Sequence, residues 1–198
     1  MGNHGQLAAS MWAVRAMGLS AIDLGVFVSR VSAVCDEMGL VLRHAAFSPN
    51  IKDRLDFSCA LFDEKGELFA QAAHIPVHLG SMAFAMADIV ATRAWGEGDV
   101  LAVNDPFLGG THLPDVTLIS PVYVVGEQVG FVANRAHHAN IGAKSPGSMP
   151  LSTSLDEEGL IIPPTLLVSA GEPVRDALLA FLELGRVMLR RYRVRVRV

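Results

Sequence analysis

Charged residues are scarce in this sequence, in which they make up 18% of the 198 residues while hydrophobic residues make up 51%. Disordered segments are rich in charge and poor in apolar residues, so this composition excludes a disordered chain. The apolar share is high for a free-standing domain. It predicts surface that is covered by another protein or by further parts of a longer one.

Long apolar runs are also absent. A membrane-spanning helix needs about 20 consecutive apolar residues, and the best candidate, residues 7–28, contains Arg15 and Asp23. No lysine or arginine precedes this stretch, so it lacks the charged lead of a secretory signal. We therefore predict a cytoplasmic protein with no membrane segment.

Cysteine and basic residues are few. Cys35 and Cys59 are too few for a disulfide framework and form no Cys-x-x-Cys pair, so we predict two buried free thiols. Five of the sixteen Lys and Arg residues fall in the last nine positions, RRYRVRVRV, which leaves a strongly acidic body. Such a body excludes nucleic acid as a partner. The alternating Arg/Val tail fits a truncation or an altered reading frame as well as a genuine ending.

Apolar periodicity predicts three helices. Ser20 is suited to cap a helix over residues 21–45, in which apolar positions recur at spacings near 3.6. A second helix, rich in Ala and Met, is predicted over residues 81–94, where Met82 and Met86 would pack in the core. A last helix is predicted over residues 174–189.

Paired apolar runs around turn residues predict two β-hairpins. The first joins DFSCALF to LFAQAA around Gly66, and the second joins VTLISPVYVV to QVGFVANRA around Gly126. The segment VLAVND is a further strand. Hairpins rather than regular strand–helix alternation indicate the α+β fold class, with hairpin-containing mixed sheets and flanking helices.

Three polar loops interrupt the apolar sequence, at residues 48–56, 104–115 and 134–150. Loops held by a rigid scaffold are where functional groups tend to lie. His112 and Asp115 belong to the second loop, and His137 and His138 to the third. The second hairpin returns to the end from which it started, so it should bring His137 beside His112 and Asp115.

Two imidazoles and a carboxylate suit a divalent first-row metal such as Mn, Fe or Zn. Such an ion polarises carbonyl groups and lowers the pKa of water, as hydrolysis of a stable amide requires. On an extended strand the rings of His137 and His138 point to opposite faces, so only one of them can bind the metal. The alternative is that these histidines brace loops through bonds to backbone carbonyls.

Five strings of the sequence resemble the hydantoinase B/oxoprolinase family, including N-methylhydantoinase B, which is related to the acetone carboxylase subunit. They are EMGLVLRHAAFSPNIKDRLDFSCALFD, QAAHIPVHLGSM, NDPFLGGTHLPDVTLISPV, FVANRAHHANIG and EEGLIIPP. The resemblance covers about residues 29–168 and only the N-terminal portion of the family, so it implies part of a larger fold. We divide the chain into an extension (1–28), a family domain (29–170) and a C-terminal helix with the tail (171–198).

The resemblance also implies chemistry. Family members open the rings of hydantoins or 5-oxoproline, or they add a carboxyl group to ketones. ATP is consumed in a partner subunit or fused domain. It implies a divalent metal on His112, Asp115 and His137, with Asp56 or His78 as a further group and Asp56 preferred. The sequence contains no GxxxxGK[ST] phosphate loop. We therefore expect a hydantoinase A-like ATP-binding partner, a hetero-oligomer and a small cyclic amide as substrate.

Five other residues are candidates for the reaction. Asp56, His138 and Glu158 are candidate catalytic groups, although Glu158 is alternatively an acid in a turn. Arg54 and Arg135 could clamp a carboxylate or a phosphorylated intermediate, or form ordinary salt bridges. Three functions stay open: a metal-assisted, ATP-coupled hydrolase of cyclic amides, an acetone carboxylase-like ketone carboxylase subunit, and a truncated, non-catalytic fragment or assembly module.

Overall fold

A computed structural model describes residues 20–72, 75–143 and 151–180 of the chain. The Arg/Val tail, most of the predicted extension and the end of the predicted last helix lie outside these ranges, while residues 175–180 are helical. None of the helices in the described part of the chain has the length and apolarity that crossing a bilayer requires.

Besides the helical residues 175–180, the structure describes three α-helices: α1 (Ala21–Ala45), α2 (Pro49–Lys52) and α3 (Pro76–Ala91). The predicted α1 is confirmed with its cap, since the Ser20 hydroxyl accepts from the Asp23 amide while the Asp23 carboxylate accepts from the Ser20 amide. The prediction for the second helix was wrong in its bounds, because α3 begins at Pro76 rather than at residue 81. Proline at the first helical position needs no backbone donor and has a suitable φ, so it starts a helix readily.

Seven strands form one sheet in the order β2-β1-β5-β4-β3-β6-β7, with every neighbouring pair antiparallel. Both predicted hairpins are confirmed, as β1–β2 and β4–β5. The strands are β1 (Phe57–Phe62), β2 (Leu68–Gln71), β3 (Val100–Val103), β4 (Asp115–Val124), β5 (Glu127–His137), β6 (Thr165–Ser169) and β7 (Glu172–Pro173).

Helices α1 and α3 cover opposite faces of the sheet, which explains why all six residues of β1 are buried. Alternate residues of a strand point to opposite faces. Phe62 accordingly packs with Met82 and Met86 of α3, whereas Cys59 and Leu61 lie on the face of α1. The predicted burial of the two methionines and of both free cysteines is confirmed.

The predicted α+β class is confirmed, as helices on a single antiparallel sheet. The predicted domain division stays a prediction, although α1 continues without a break across position 28 and β7 pairs with β6 beyond position 170. The longest hairpin, β4–β5, turns at Val125 and Gly126, and its open end carries the polar side chains described next.

Candidate metal centre

The open end of the β4–β5 hairpin holds a buried pair of polar side chains. Asp115 and His137 are cross-strand partners in the ladder, so their side chains leave the same face of the sheet at adjacent points. His137 Nδ1 lies 3.0 Å from Asp115 Oδ1. The two residues are only 1% and 3% exposed, so this pair is removed from bulk water.

His112 reaches the same point from the loop that precedes β4. The Asp115 amide donates to the His112 carbonyl at 3.0 Å, which closes a turn around Pro114. His112 Nε2 then lies 3.2 Å from Asp115 Oδ1 and 3.0 Å from His137 Nδ1. The proximity of these three side chains, predicted from strand order, is therefore present in the structure.

Three mutual contacts near 3 Å cannot all be hydrogen bonds. Each imidazole nitrogen carries at most one proton and an ionised carboxylate oxygen carries none, so two protons at most serve three contacts. In a tetrahedral zinc site with Zn–N distances of about 2.0–2.1 Å, neighbouring ligand atoms are roughly 3.3 Å apart. The spacing and chemistry of the three donors on His112, Asp115 and His137 therefore fit a divalent cation.

The polar contacts of the His137 ring in the described part of the chain are all made by Nδ1, toward the cluster. Its other nitrogen, Nε2, is buried without a hydrogen-bond partner among the described residues. Bracing through backbone carbonyls, the alternative considered for these histidines, is not seen for the rings of His112 and His137 in the described contacts.

Asp115 dominates the electrostatics of the cluster. Burial opposes ionisation of this carboxyl, but hydrogen bonds to its surroundings outweigh burial and hold its pKa well below the usual range. The hydrogen bond with Asp115 raises the pKa of His112 against the effect of burial, with a smaller contribution from Asp56 and Glu158. The side chains that contact the Asp115 carboxylate are His112, His137, His78 and Thr111.

His78, the less favoured of the two further candidates, is part of the cluster. It projects from the first turns of α3, is 2% exposed, and places Nε2 at 3.3 Å from Asp115 Oδ2. Its Nδ1 lies 3.3 Å from the hydroxyl of Ser58 on β1. Both ring nitrogens are thus engaged, and the ring is fixed between helix and sheet.

Asp56 lies at the rim of the cluster, immediately before β1. Its oxygens lie 3.7 Å from His78 Nε2 and 3.9 Å from His137 Nδ1, and its carbonyl accepts from the His137 amide at 3.0 Å. The preceding Leu55 has φ 57°, a left-handed conformation that costs a branched residue of order 1–3 kcal/mol. The Asp56 side chain is 31% exposed, so it is the carboxylate of the cluster that remains accessible.

His138 and Glu158 stay predictions as catalytic groups. The backbone amide of His138 donates to the Pro114 carbonyl at 2.9 Å, and burial lowers the pKa of its half-buried imidazole. Glu158 is half-buried, follows a short 3-10 helix at Leu155–Glu157 and accepts from the Ser152 hydroxyl at 2.9 Å. Its carboxylate acts on His112 through space.

The two predicted arginine clamps have different surroundings. Arg54 is exposed in the turn before Asp56. Arg135 is 2% exposed, and its guanidinium donates to Thr117, Ser81 and Gly109. Contact with substrate stays a prediction for both, and the geometry favours an internal role for Arg135.

Sequence reasoning missed Thr111 and Asn104. The Thr111 hydroxyl donates to Asp115 Oδ2. The Asn104 amide group donates to the carbonyls of Leu113 and Leu160, and its oxygen accepts from Ile162, so it ties the loop to a segment more than 50 residues away. A polar residue at the end of an apolar strand was the available signal, but its partners depend on tertiary structure.

Comparisons with known proteins identify the family of this chain. A sequence model of the family described as Hydantoinase B/oxoprolinase matches residues 20–193. The 5-oxoprolinase of Dictyostelium discoideum is 46% identical over 171 residues, which are 85% of this chain and 14% of that protein. The chain therefore spans a small part of the relatives that it matches.

Two solved structures share the fold. The crystal structure of ATP-dependent caprolactamase from Pseudomonas jessenii has a TM-score of 0.74 and 31% identity, over 84% of this chain and 29% of that one. The nucleotide-free structure of acetone carboxylase also has a TM-score of 0.74, at 23% identity, over 88% of this chain and 25% of that one, and supports the fold alone. The resemblance seen in the five sequence strings is confirmed, and this chain belongs to the hydantoinase B/oxoprolinase family.

Proposed function

We propose that this chain is the N-terminal, metal-holding part of an ATP-coupled hydrolase that opens cyclic amides of the hydantoin or 5-oxoproline type. The observation that supports this proposal is the convergence of His112, Asp115 and His137 donors within 3.0–3.2 Å of one another. The names of two relatives, a 5-oxoprolinase and a caprolactamase, also describe action on cyclic amides.

We assign metal binding to the three donor residues and proton transfer to an accessible residue of the cluster. A divalent cation (Mn, Fe or Zn) held by His112, Asp115 and His137 supplies Lewis-acid polarisation of a carbonyl and makes water more acidic, as amide ring opening needs. Buried Asp115 provides one negative charge, which offsets half of the charge of such a cation. Asp56 is in contact with the cluster and accessible, so we assign its carboxylate to accept the proton of the attacking water.

Coupling to ATP is assigned to another polypeptide or domain. The caprolactamase relative is described as ATP-dependent, whereas this sequence contains no GxxxxGK[ST] phosphate loop. We therefore propose a hydantoinase A-like partner in a cytoplasmic hetero-oligomer. Exposed apolar side chains agree with a partner surface, among them Phe27, Phe84 and Phe107.

Two other functions are supported by specific observations. The shared fold with acetone carboxylase supports a ketone carboxylase subunit, but the 31% and 46% identities to lactam-directed relatives favour the hydrolase. The exposed apolar side chains support an assembly module without activity of its own.

Metal analysis of the purified 198-residue chain tests the proposal directly. We expect about one Mn, Fe or Zn ion per chain, lost in His112→Ala because one of three donors is removed. His44→Ala, at an exposed position near the end of α1, is the matched control and should keep the metal. Stoichiometric metal in the His112→Ala variant would overturn the assignment.

Activity separates the three functions. The chain is combined with a hydantoinase A-like partner and ATP, and supplied with 5-oxoproline, a hydantoin, or acetone with bicarbonate. Ring opening that is lost in Asp56→Asn supports the hydrolase, and carboxylation of acetone supports the second function. A chain that binds metal and partner but gives no turnover with any of these substrates supports the assembly module.

A further inference from the structure

Arg135 is the largest fully buried side chain of the described residues. It is near the candidate ligands both along β5 and through its partner on β4. It precedes His137 by two positions on β5, so both side chains leave the same face of the sheet. Its cross-strand partner is Thr117, just as Asp115 is the partner of His137. Arg135 and Thr117 therefore form the next cross-strand pair on that face of the sheet, two positions along each strand from the candidate ligands.

The guanidinium contacts three different elements of the fold. Nε donates to the Thr117 hydroxyl at 2.8 Å on β4, one terminal nitrogen donates to the Gly109 carbonyl at 2.8 Å in the loop, and the other donates to the Ser81 hydroxyl on α3. The planar fork of an arginine fixes the relative positions of acceptors that a lysine ammonium cannot reach together. Sheet, loop and helix are thus held by one side chain.

The loop lies against α3 at the residue that Arg135 contacts. Gly109 has φ 90°, and a Cβ there would lie 1.8 Å from Ala85 Cβ, so the loop backbone sits directly on α3. His112 follows three residues later. Ser81 also donates to the carbonyl of His78, so the same guanidinium is linked to the helical turn that carries the other imidazole of the cluster.

We infer that Arg135 is a positioning residue that holds the loop of residues 104–114 on α3, so that His112 meets Asp115 and His137 in the geometry of the metal site. The inference rests on the proposed function for its consequence, metal binding. The holding of the loop by Arg135 does not depend on that function, because the three hydrogen bonds of the guanidinium belong to the chain itself.

The test compares Arg135→Lys with Arg93→Lys in the full 198-residue chain. Arg93 also donates to a buried carboxylate, that of Asp99, but lies outside the cluster. Zn²⁺ affinity is measured by competition with a chromophoric chelator. We expect it to fall about 10–100-fold in Arg135→Lys, the usual effect of losing a group that orients metal ligands, and to stay within about twofold of the native chain in Arg93→Lys.

A second measurement needs no metal. Hydrogen exchange of the metal-free chain should speed up about tenfold at the amides of Phe107, Leu108 and Gly110 in Arg135→Lys, since a charged hydrogen bond that holds the loop is lost. Exchange at the turn amides of Gly96 and Asp99 should stay as in the native chain. Faster exchange throughout the chain would indicate a general loss of stability and overturn the positioning role.

The outcomes separate the inference from the proposed function. A native chain that binds no Zn²⁺ overturns the metal site, and loop exchange then decides the role of Arg135 alone. Unchanged loop exchange together with native Zn²⁺ affinity in Arg135→Lys overturns the inference. Should Arg135→Lys fail to fold, Thr117→Val removes one acceptor and Thr117→Ser restores it, and the same loop-specific difference is expected between those two variants.

Discussion

Asp99 and Asp115 are buried carboxylates at opposite ends of neighbouring strands, and they differ in the groups that contact them. Asp99, just before β3, is 3% exposed and accepts from the backbone amides of Gly96 and Ala170 and from Arg93. Asp115, at the start of β4, is 1% exposed, and its side-chain partners are three imidazoles and a hydroxyl. Both aspartates are thus shielded from solvent, but they have different partners.

The difference lies in what the partners can do. In both cases burial opposes the charge, and hydrogen bonds outweigh burial and lower the pKa of the carboxyl. Amides and an arginine are permanent donors, so Asp99 is a structural support that ties the turn before β3 to the β6–β7 turn. Imidazoles exchange protons and bind metals near neutral pH. We therefore propose a functional role for Asp115 and a structural role for Asp99.

Substitution of Asp115 is expected to weaken metal binding more than any other change. Asp115→Asn should lower Zn²⁺ affinity by more than about 100-fold, since even the loss of a group behind the ligands costs about 10–100-fold. Asp99→Asn should leave the affinity within about twofold, because it lies at the other end of the strands. Competition titrations of both variants give the answer, and equal Zn²⁺ affinities would remove the distinction.

Two glycines test whether the backbone of the loop before β4 matters for metal binding. Gly109 and Gly126 both have left-handed φ, but the added methyl would meet Ala85 at the first position and open space at the second. Gly126→Ala should cost about 1–2 kcal/mol of unfolding free energy from conformation alone, and Gly109→Ala about 1–3 kcal/mol more from overpacking. Urea unfolding measures both, and the Zn²⁺ affinity should fall only in Gly109→Ala.

The parts of this centre that were predicted from the sequence involve residues that are close in the chain or share one hairpin. The candidate ligands Asp115 and His137 lie on one hairpin, whose turn at Gly126 is readable from local residues, and that turn fixes their register. His112 is three residues from Asp115. Short-range patterns were therefore enough to bring the three donors together and to indicate the α+β class.

The rest of the centre depends on the packing of α3. His78 reaches Asp115 because a helix that starts at Pro76 lies across the sheet, and its start was predicted five residues too late. The buried role of Arg135 likewise requires Ser81 of that helix and the close approach of Gly109. No local periodicity encodes where a helix docks, so His78 was named only through the family resemblance and the buried contacts of Arg135 were not predicted.

A further prediction concerns the contribution of Asp99 to stability. Asp99→Asn should lower the free energy of unfolding by about 2 kcal/mol at pH 7, because hydrogen bonds to a charged group are lost. The folded-state pKa of Asp99 is lowered, so its contribution is present above its ordinary pKa of about 3.9 and is lost as pH falls through the folded value. The unfolding free energies of native and variant chains should therefore converge below about pH 4. Asp88→Asn, at an exposed position on α3, should change the free energy by less than about 0.5 kcal/mol at pH 7. A difference between the native and Asp99→Asn chains that stays constant into acid would show that Asp99 supports the turn through shape rather than charge.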